Sequence, residues 1–115
     1  MPLSERDRAL ISDMLDSARL INTYVQGLSS DQYLADRKTQ LAVERLIEII
    51  GEAARKISED VRLNEANIPW RGIIGQRNVL AHEYGEVKQE RIWNVASREV
   101  PLLIGHLERV LSSSG

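Results

Sequence analysis

Apolar residues recur at intervals of three and four along most of the chain, and strict apolar–polar alternation appears nowhere. That period lines one face of a helix rather than one face of a strand. The first stripe is Leu10, Ile11, Met14, Leu15, Ala18, Ile21, Val25 and Leu28. Ser4 precedes it as an N-cap with Asp7 three residues on, in the manner of a capping box, and Gly27 with Ser29-Ser30 closes it. A second helix is expected to begin between Asp31 and Asp36 and to run to about Ser58. Its stripe is Leu41, Ala42, Leu46, Ile49, Ile50, Ala53, Ala54 and Ile57, with Glu44, Glu48 and Glu52 four apart along one edge. Gly51 costs about 1 kcal/mol relative to Ala inside a helix, so it reads as a point of close helix packing rather than a break.

Arg62 to Asn67 reads as a loop. Pro69 suits the first turn of a third, shorter helix, where its missing N–H would be unpaired in any case. Trp70, Ile73, Ile74, Val79 and Leu80 are that helix's apolar residues; it ends near His82, and Gly85 is its stop. A last long helix covers about Lys88 to Leu111, with Ile92, Val95, Ala96, Leu103, Leu107 and Val110 inward. Pro101 falls in its middle and is expected to kink or split it, and Ser112 to Gly115 reads as a frayed tail. Three long amphipathic helices and a short one predict an all-α, up-and-down four-helix bundle with an additional short helix, its last helix kinked at the proline.

A length of 115 residues fits one domain spanning 1–115. No window approaches the roughly 20 apolar residues of a membrane span, and the charged start Met-Pro-Leu-Ser-Glu-Arg-Asp lacks the apolar core of a signal peptide. The absence of cysteine excludes disulfides, thiolate-bound zinc and a cysteine nucleophile. A cytoplasmic protein is the expectation. Net charge is −2, which argues against general coating of nucleic acid. The charge is uneven: residues 1–68 carry nine Lys/Arg against twelve Asp/Glu, whereas residues 69–98 carry five against three.

That net-positive part holds Gly75 to Tyr84, in which Arg77, Asn78, His82 and Tyr84 fall within eight positions. His moves protons near neutral pH, Arg is a permanent planar cation that matches a phosphate, and Asn can orient either. Such a set suits cleavage of RNA without metal, the ribose 2′-hydroxyl serving as nucleophile and a 2′,3′-cyclic phosphate resulting. The competing reading of a histidine at a helix end is a cap or a packing residue. Spacing also constrains the site: five residues correspond to about 140° around a regular helix. Either the helix ends or bends before His82, or two copies of the segment meet across a dimer interface.

Other constellations fail. His82-Glu83-Tyr84-Gly85-Glu86 lacks the second histidine of a helical zinc motif. The Glu44/Glu48/Glu52 ladder lacks the Glu-x-x-His partners of a di-metal bundle, since Val79 and Leu103 stand three before the histidines. His106, among Leu102, Leu103 and Leu107, reads as structural. No metal or other cofactor is expected.

Arg77-Asn78-Val-Leu-Ala-His82-Glu-Tyr84 resembles the Arg-x4-His-x-Tyr motif of HepT-type toxins, within the HEPN superfamily of helical ribonucleases. Ile50-Gly51-Glu52-Ala53, Ile68-Pro69-Trp70, Gly75, and Val87 to Pro101 with Trp93 agree with that family, so the likeness spans nearly the whole chain. The resemblance implies an all-helical HEPN-type homodimer with the motif facing a cleft between protomers. It implies a metal-independent endoribonuclease with Arg77 and His82 catalytic and Asn78 supporting. It further implies the toxin of a type VII-like toxin–antitoxin pair. In that pair a minimal nucleotidyltransferase antitoxin adds AMP units to Tyr84. Without the resemblance, Tyr84 would read as a half-buried ring with its hydroxyl at the surface. Two further readings stand beside it: a non-catalytic helical binding partner of a nucleotidyltransferase, and a structural dimerising bundle.

Overall fold

The computed structural model describes residues 2–82 and 87–113, with the backbone alone at Ala81 and His82. The described residues form α1 (Glu5–Val25), α2 (Ser30–Leu34), α3 (Arg37–Lys56), α4 (Glu59–Asn64) and α5 (Trp70–His82). The last helix comprises α6 (Gln89–Asn94), a π-helical segment (Val95–Glu99) and α7 (Val100–Ser113). No strand occurs among the described residues. The protein is an all-α bundle, as its periodicity predicts.

The bundle is organised around α3, which packs against α1 on one side and α5 on the other, while α7 packs on α1. Its shortest dimension is 19 Å, about two helix diameters, so the helices lie in two layers around one core. Lying between two helices, α3 buries more of its circumference than a single stripe provides. Gln40, Val43 and Ile47 are buried along with Ile50, Ala53 and Ala54, whereas Leu41, expected inside, is exposed. Gln40 is satisfied there by donating from Nε2 to the carbonyls of Tyr33 and Leu34 at 3.0 and 3.1 Å, which caps the end of α2.

Ser4 caps α1, its Oγ accepting from Asp7 N at 3.0 Å. The Asp7 carboxylate does not complete a capping box. It is buried and accepts instead from Ser58 N at 3.0 Å and Ser58 Oγ at 2.7 Å. The start of α1 is thereby joined to the chain just past the end of α3, so the two helices run antiparallel. Ser58 is also the N-cap of α4, which replaces the first half of the loop expected at Arg62 to Asn67. The reason lies in Glu59 and Asp60 in its first turn, favoured by the helix dipole, and in Val61, buried in the core.

The interruption expected at Pro101 takes the form of a π turn just before it. Val100 N donates to Val95 O, five residues back, and Pro101 has no N–H to continue the ordinary ladder. Tyr33 is fully buried against Trp93 at a ring-centroid separation of 5.2 Å, joining α2 to the start of this last helix.

Candidate functional site

Helix α5 is set by its entry. Trp70 is buried and donates from Nε1 to Glu65 O at 3.1 Å, and Ile73 N donates to Pro69 O at 3.0 Å. Along its length its main neighbour is α3. The two come closest at Gly51. A Cβ there would collide with Arg77 Cβ and lie 2.8 Å from Arg77 Cγ and 3.1 Å from Ile73 O. The glycine expected to permit close packing does so under the stem of Arg77.

The head of Arg77 is held by the next residue on α3. Arg77 Nη2 lies 2.8 Å from Glu52 Oε2, and Arg77 Nη1 donates to Asn78 Oδ1 at 3.0 Å. Glu52 Oε2 is shielded from solvent with no donor aligned for a hydrogen bond, so the short contact with Arg77 is an ion pair rather than a directed bond. The other oxygen, Oε1, accepts from Arg55 Nη2 at 2.8 Å and lies 3.7 Å from Lys56 Nζ. The Arg55 hydrogen bond above all, with the charges of Arg55, Arg77 and Lys56, outweighs desolvation and holds the Glu52 carboxyl below its ordinary range.

Arg77 and Glu52 line a polar cleft of about 330 Å³ with Asp13, Arg45, Glu48 and Lys56. Asn78, exposed, borders a shallower recess with Trp70 and Arg71. A third, more apolar groove of about 350 Å³ runs between α5 and the last helix, floored by Ile47, Ile50 and Ile73 and edged by Gln76, Leu102 and His106. His106 Nδ1 is 2.6 Å from Arg109 Nη2 one turn on.

Helix α5 continues through His82, so the backbone positions of Arg77 and His82 are about 140° apart around its axis. An ending before His82, one of the two forms of the first solution to that spacing, does not occur. Tyr84, and with it the stop expected at Gly85, lies outside the described residues. The structure therefore brings together Arg77, Asn78 and α3, and it adds Glu52, to which sequence reasoning assigned no role. Glu52 was visible as one rung of an acidic ladder; its position after Gly51 was the available signal.

The ladder itself separates, each glutamate having its own set of partners. Glu44 accepts from Arg37 and Gln89 at 3.2 and 3.0 Å, Glu48 lies 3.6 Å from Arg45, and Glu52 meets Arg55, Lys56 and Arg77. Among the described residues no group of three His, Cys, Asp or Glu side chains is disposed to hold a metal ion.

The family described as "Ribonuclease HepT-like" matches residues 14–110. The chain belongs to the HepT-like ribonuclease family. The matched region contains Gly51, Glu52, Arg77, Asn78, His82 and Tyr84. Among its relatives, "Putative RNase MJ0127" of Methanocaldococcus jannaschii is 34% identical over 104 residues, covering 90% of this chain and 86% of that protein. "Putative RNase MJ1380" of the same organism is 32% identical over 109 residues, covering 94% and 100%. "Probable ribonuclease HepT" of Thermococcus cleftensis is 33% identical over 100 residues, covering 87% and 91%. No solved structure matches the chain. Among the described residues no helix of this HepT-like chain is long and apolar enough to cross a membrane.

Proposed function

We propose that the chain is an endoribonuclease toxin of the HepT type, in which Arg77 and His82 are the catalytic pair. The observation that carries this reading is Arg77 itself. Its stem is pressed against Gly51 and its head is held at Glu52 in a polar cleft, on a helix that continues to His82. A cation anchored in this way is suited to a phosphodiester. His82 takes the proton of the ribose 2′-hydroxyl, whose oxygen attacks the adjacent phosphorus. The bond to the 5′-oxygen of the next nucleotide breaks, that oxygen receives a proton, and a 2′,3′-cyclic phosphate remains. Arg77 stabilises the charge gathering on the phosphorus oxygens, and Asn78 supports Arg77. RNA supplies the nucleophile, so the step needs no metal ion to generate one.

The active unit is a homodimer. On one regular helix Arg77 and His82 diverge, whereas a two-fold axis beside α5 brings the Arg77 of one copy toward the His82 of the other. The apolar groove between α5 and the last helix, with exposed Leu102 on its rim, supports contact with a second copy on this side of the molecule. In the cytoplasm a minimal nucleotidyltransferase antitoxin neutralises the toxin by adding AMP to Tyr84. The added phosphate and nucleoside, two residues from His82, occupy the anion site and exclude RNA.

The test is cleavage of total tRNA and mRNA in EDTA by protein that mass spectrometry shows to be unmodified at Tyr84, alongside His82→Ala and Arg77→Ala. Cyclic-phosphate ends that disappear in both variants are expected. A folded, unmodified dimer that leaves RNA intact would refute the nuclease and favour a binding partner of a nucleotidyltransferase.

A further inference from the structure

We infer that Glu52 is a positioning residue for Arg77, and that Gly51-Glu52 of α3 forms a two-point seat which fixes this arginine for a phosphate. An arginine side chain has many rotamers, and a catalytic cation is effective when few of them are populated. At residue 51 the missing side chain lets the Arg77 stem lie directly on α3. At residue 52 a carboxylate oxygen, shielded from solvent, stops the guanidinium 2.8 Å away. Consecutive residues on one helix thus hold the two ends of one side chain on another.

A carboxylate beside a phosphate-binding arginine would ordinarily compete with the substrate. Three features oppose that here. Glu52 is shared among Arg55, Lys56 and Arg77, so three positive charges surround one negative charge. Its contact with Arg77 is not an aligned hydrogen bond. Glu48, in the same cleft, is matched by Arg45 at 3.6 Å. Glu52 thus holds the head of Arg77 without an aligned hydrogen bond that a phosphate would have to displace.

The kinetic consequence rests on the ribonuclease reading; the seat itself rests on geometry. Glu52→Gln keeps the shape and removes the charge. With an RNA substrate, kcat is expected to fall about ten- to a hundredfold, the scale on which small misplacements of catalytic groups act. KM should stay within about twofold and the unfolding midpoint should be little changed. Glu52→Asp, which restores the charge at shorter reach, should recover part of the rate. In nitrogen-resolved NMR of the wild-type dimer, the Arg77 guanidinium should show hindered rotation that is released in Glu52→Gln. Equal or faster cleavage by Glu52→Gln would overturn the inference, because it would make Glu52 a competitor of the phosphate. If the wild-type protein cuts no RNA, the nuclease reading fails separately. The NMR signals then decide the seat, and Arg77 signals indifferent to Glu52→Gln would sink it.

Discussion

A side chain at residue 51 would occupy the space of Arg77 Cβ, so α3 and α5 approach each other at a glycine on one and the stem of an arginine on the other. A Cβ stem is fixed to its backbone, and a rotamer change at Arg77 cannot clear it. Gly51→Ala therefore has to push α5 away from α3. Overpacking of this kind costs about 1–3 kcal/mol, partly offset by the roughly 1 kcal/mol that alanine gains over glycine in a helix. The expected result is net destabilisation on urea unfolding, with RNA cleavage lost more than stability because Arg77 moves. Gly105→Ala is the control. Nothing lies within 4 Å of a Cβ at this exposed α7 position, so the same change there should stabilise by about 0.5–1 kcal/mol.

The Asp7–Ser58 link makes stability depend on acid. Burial raises the Asp7 carboxyl pKa, but the hydrogen bonds from Ser58 Oγ and N, helped by Ser4 and Arg6, lower it further, so the net shift is downward. Because the folded-state value lies below the unfolded one, the unfolded chain binds the proton first. This contribution is complete above an ordinary aspartate pKa of about 3.9 and is lost as pH falls through the lower folded value. Asp7→Asn should cost about 1 kcal/mol at neutral pH through loss of a charge-assisted bond. Urea midpoints taken from about pH 6 down to about pH 3 should show wild type and variant converging as acid is added. A gap that stays constant would mean that the carboxylate charge contributes nothing.

These two sites show what the sequence could and could not display. The three long helices were legible because each carries a stripe of apolar residues at helical spacing, and Ser4 and Gly27 mark the ends of the first. The α4 turn carried a local signal in Ser58-Glu59-Asp60 that the loop reading passed over, and what the run could not show is that Asp7, on a different helix, holds Ser58 in place. The burial of Gln40 and the exposure of Leu41 were missed for a related reason: a helix packed on two sides does not follow a single stripe. At the candidate site, Arg77, Asn78, His82 and Tyr84 stood out as a local run, and the motif resemblance supplied their roles. The Glu52 contact could not be read from that run, because it depends on how α5 crosses α3. The close approach at Gly51 was nonetheless foreshadowed by a glycine that local helix propensity disfavours.

In the last helix the irregularity keeps the buried positions in phase. Its buried residues Ile92, Ala96 and Val100 are spaced four and four, not three and four. On a regular α-helix eight residues overshoot whole turns by about 80°, which would swing Val100 out of line with Ile92. The π segment Val95–Glu99 takes more residues per turn and returns most of that drift, so Ile92 and Val100 share the core with Leu103, Leu107 and Val110. It follows that removing one residue should let a regular helix do the same work. Deleting exposed Arg98 places Ile92 and Val100 seven positions apart, about two turns of α-helix. Pro101 would then sit inside an ordinary helix, at a cost of about 3 kcal/mol. Deletion of Arg98 alone should therefore destabilise strongly, and deletion combined with Pro101→Ala should recover most of the loss. Urea unfolding of the two variants, with amide exchange along the helix, measures this. A double variant no more stable than the single deletion would mean that the π turn is kept for a contact that its residues make, and not for the phase of the core.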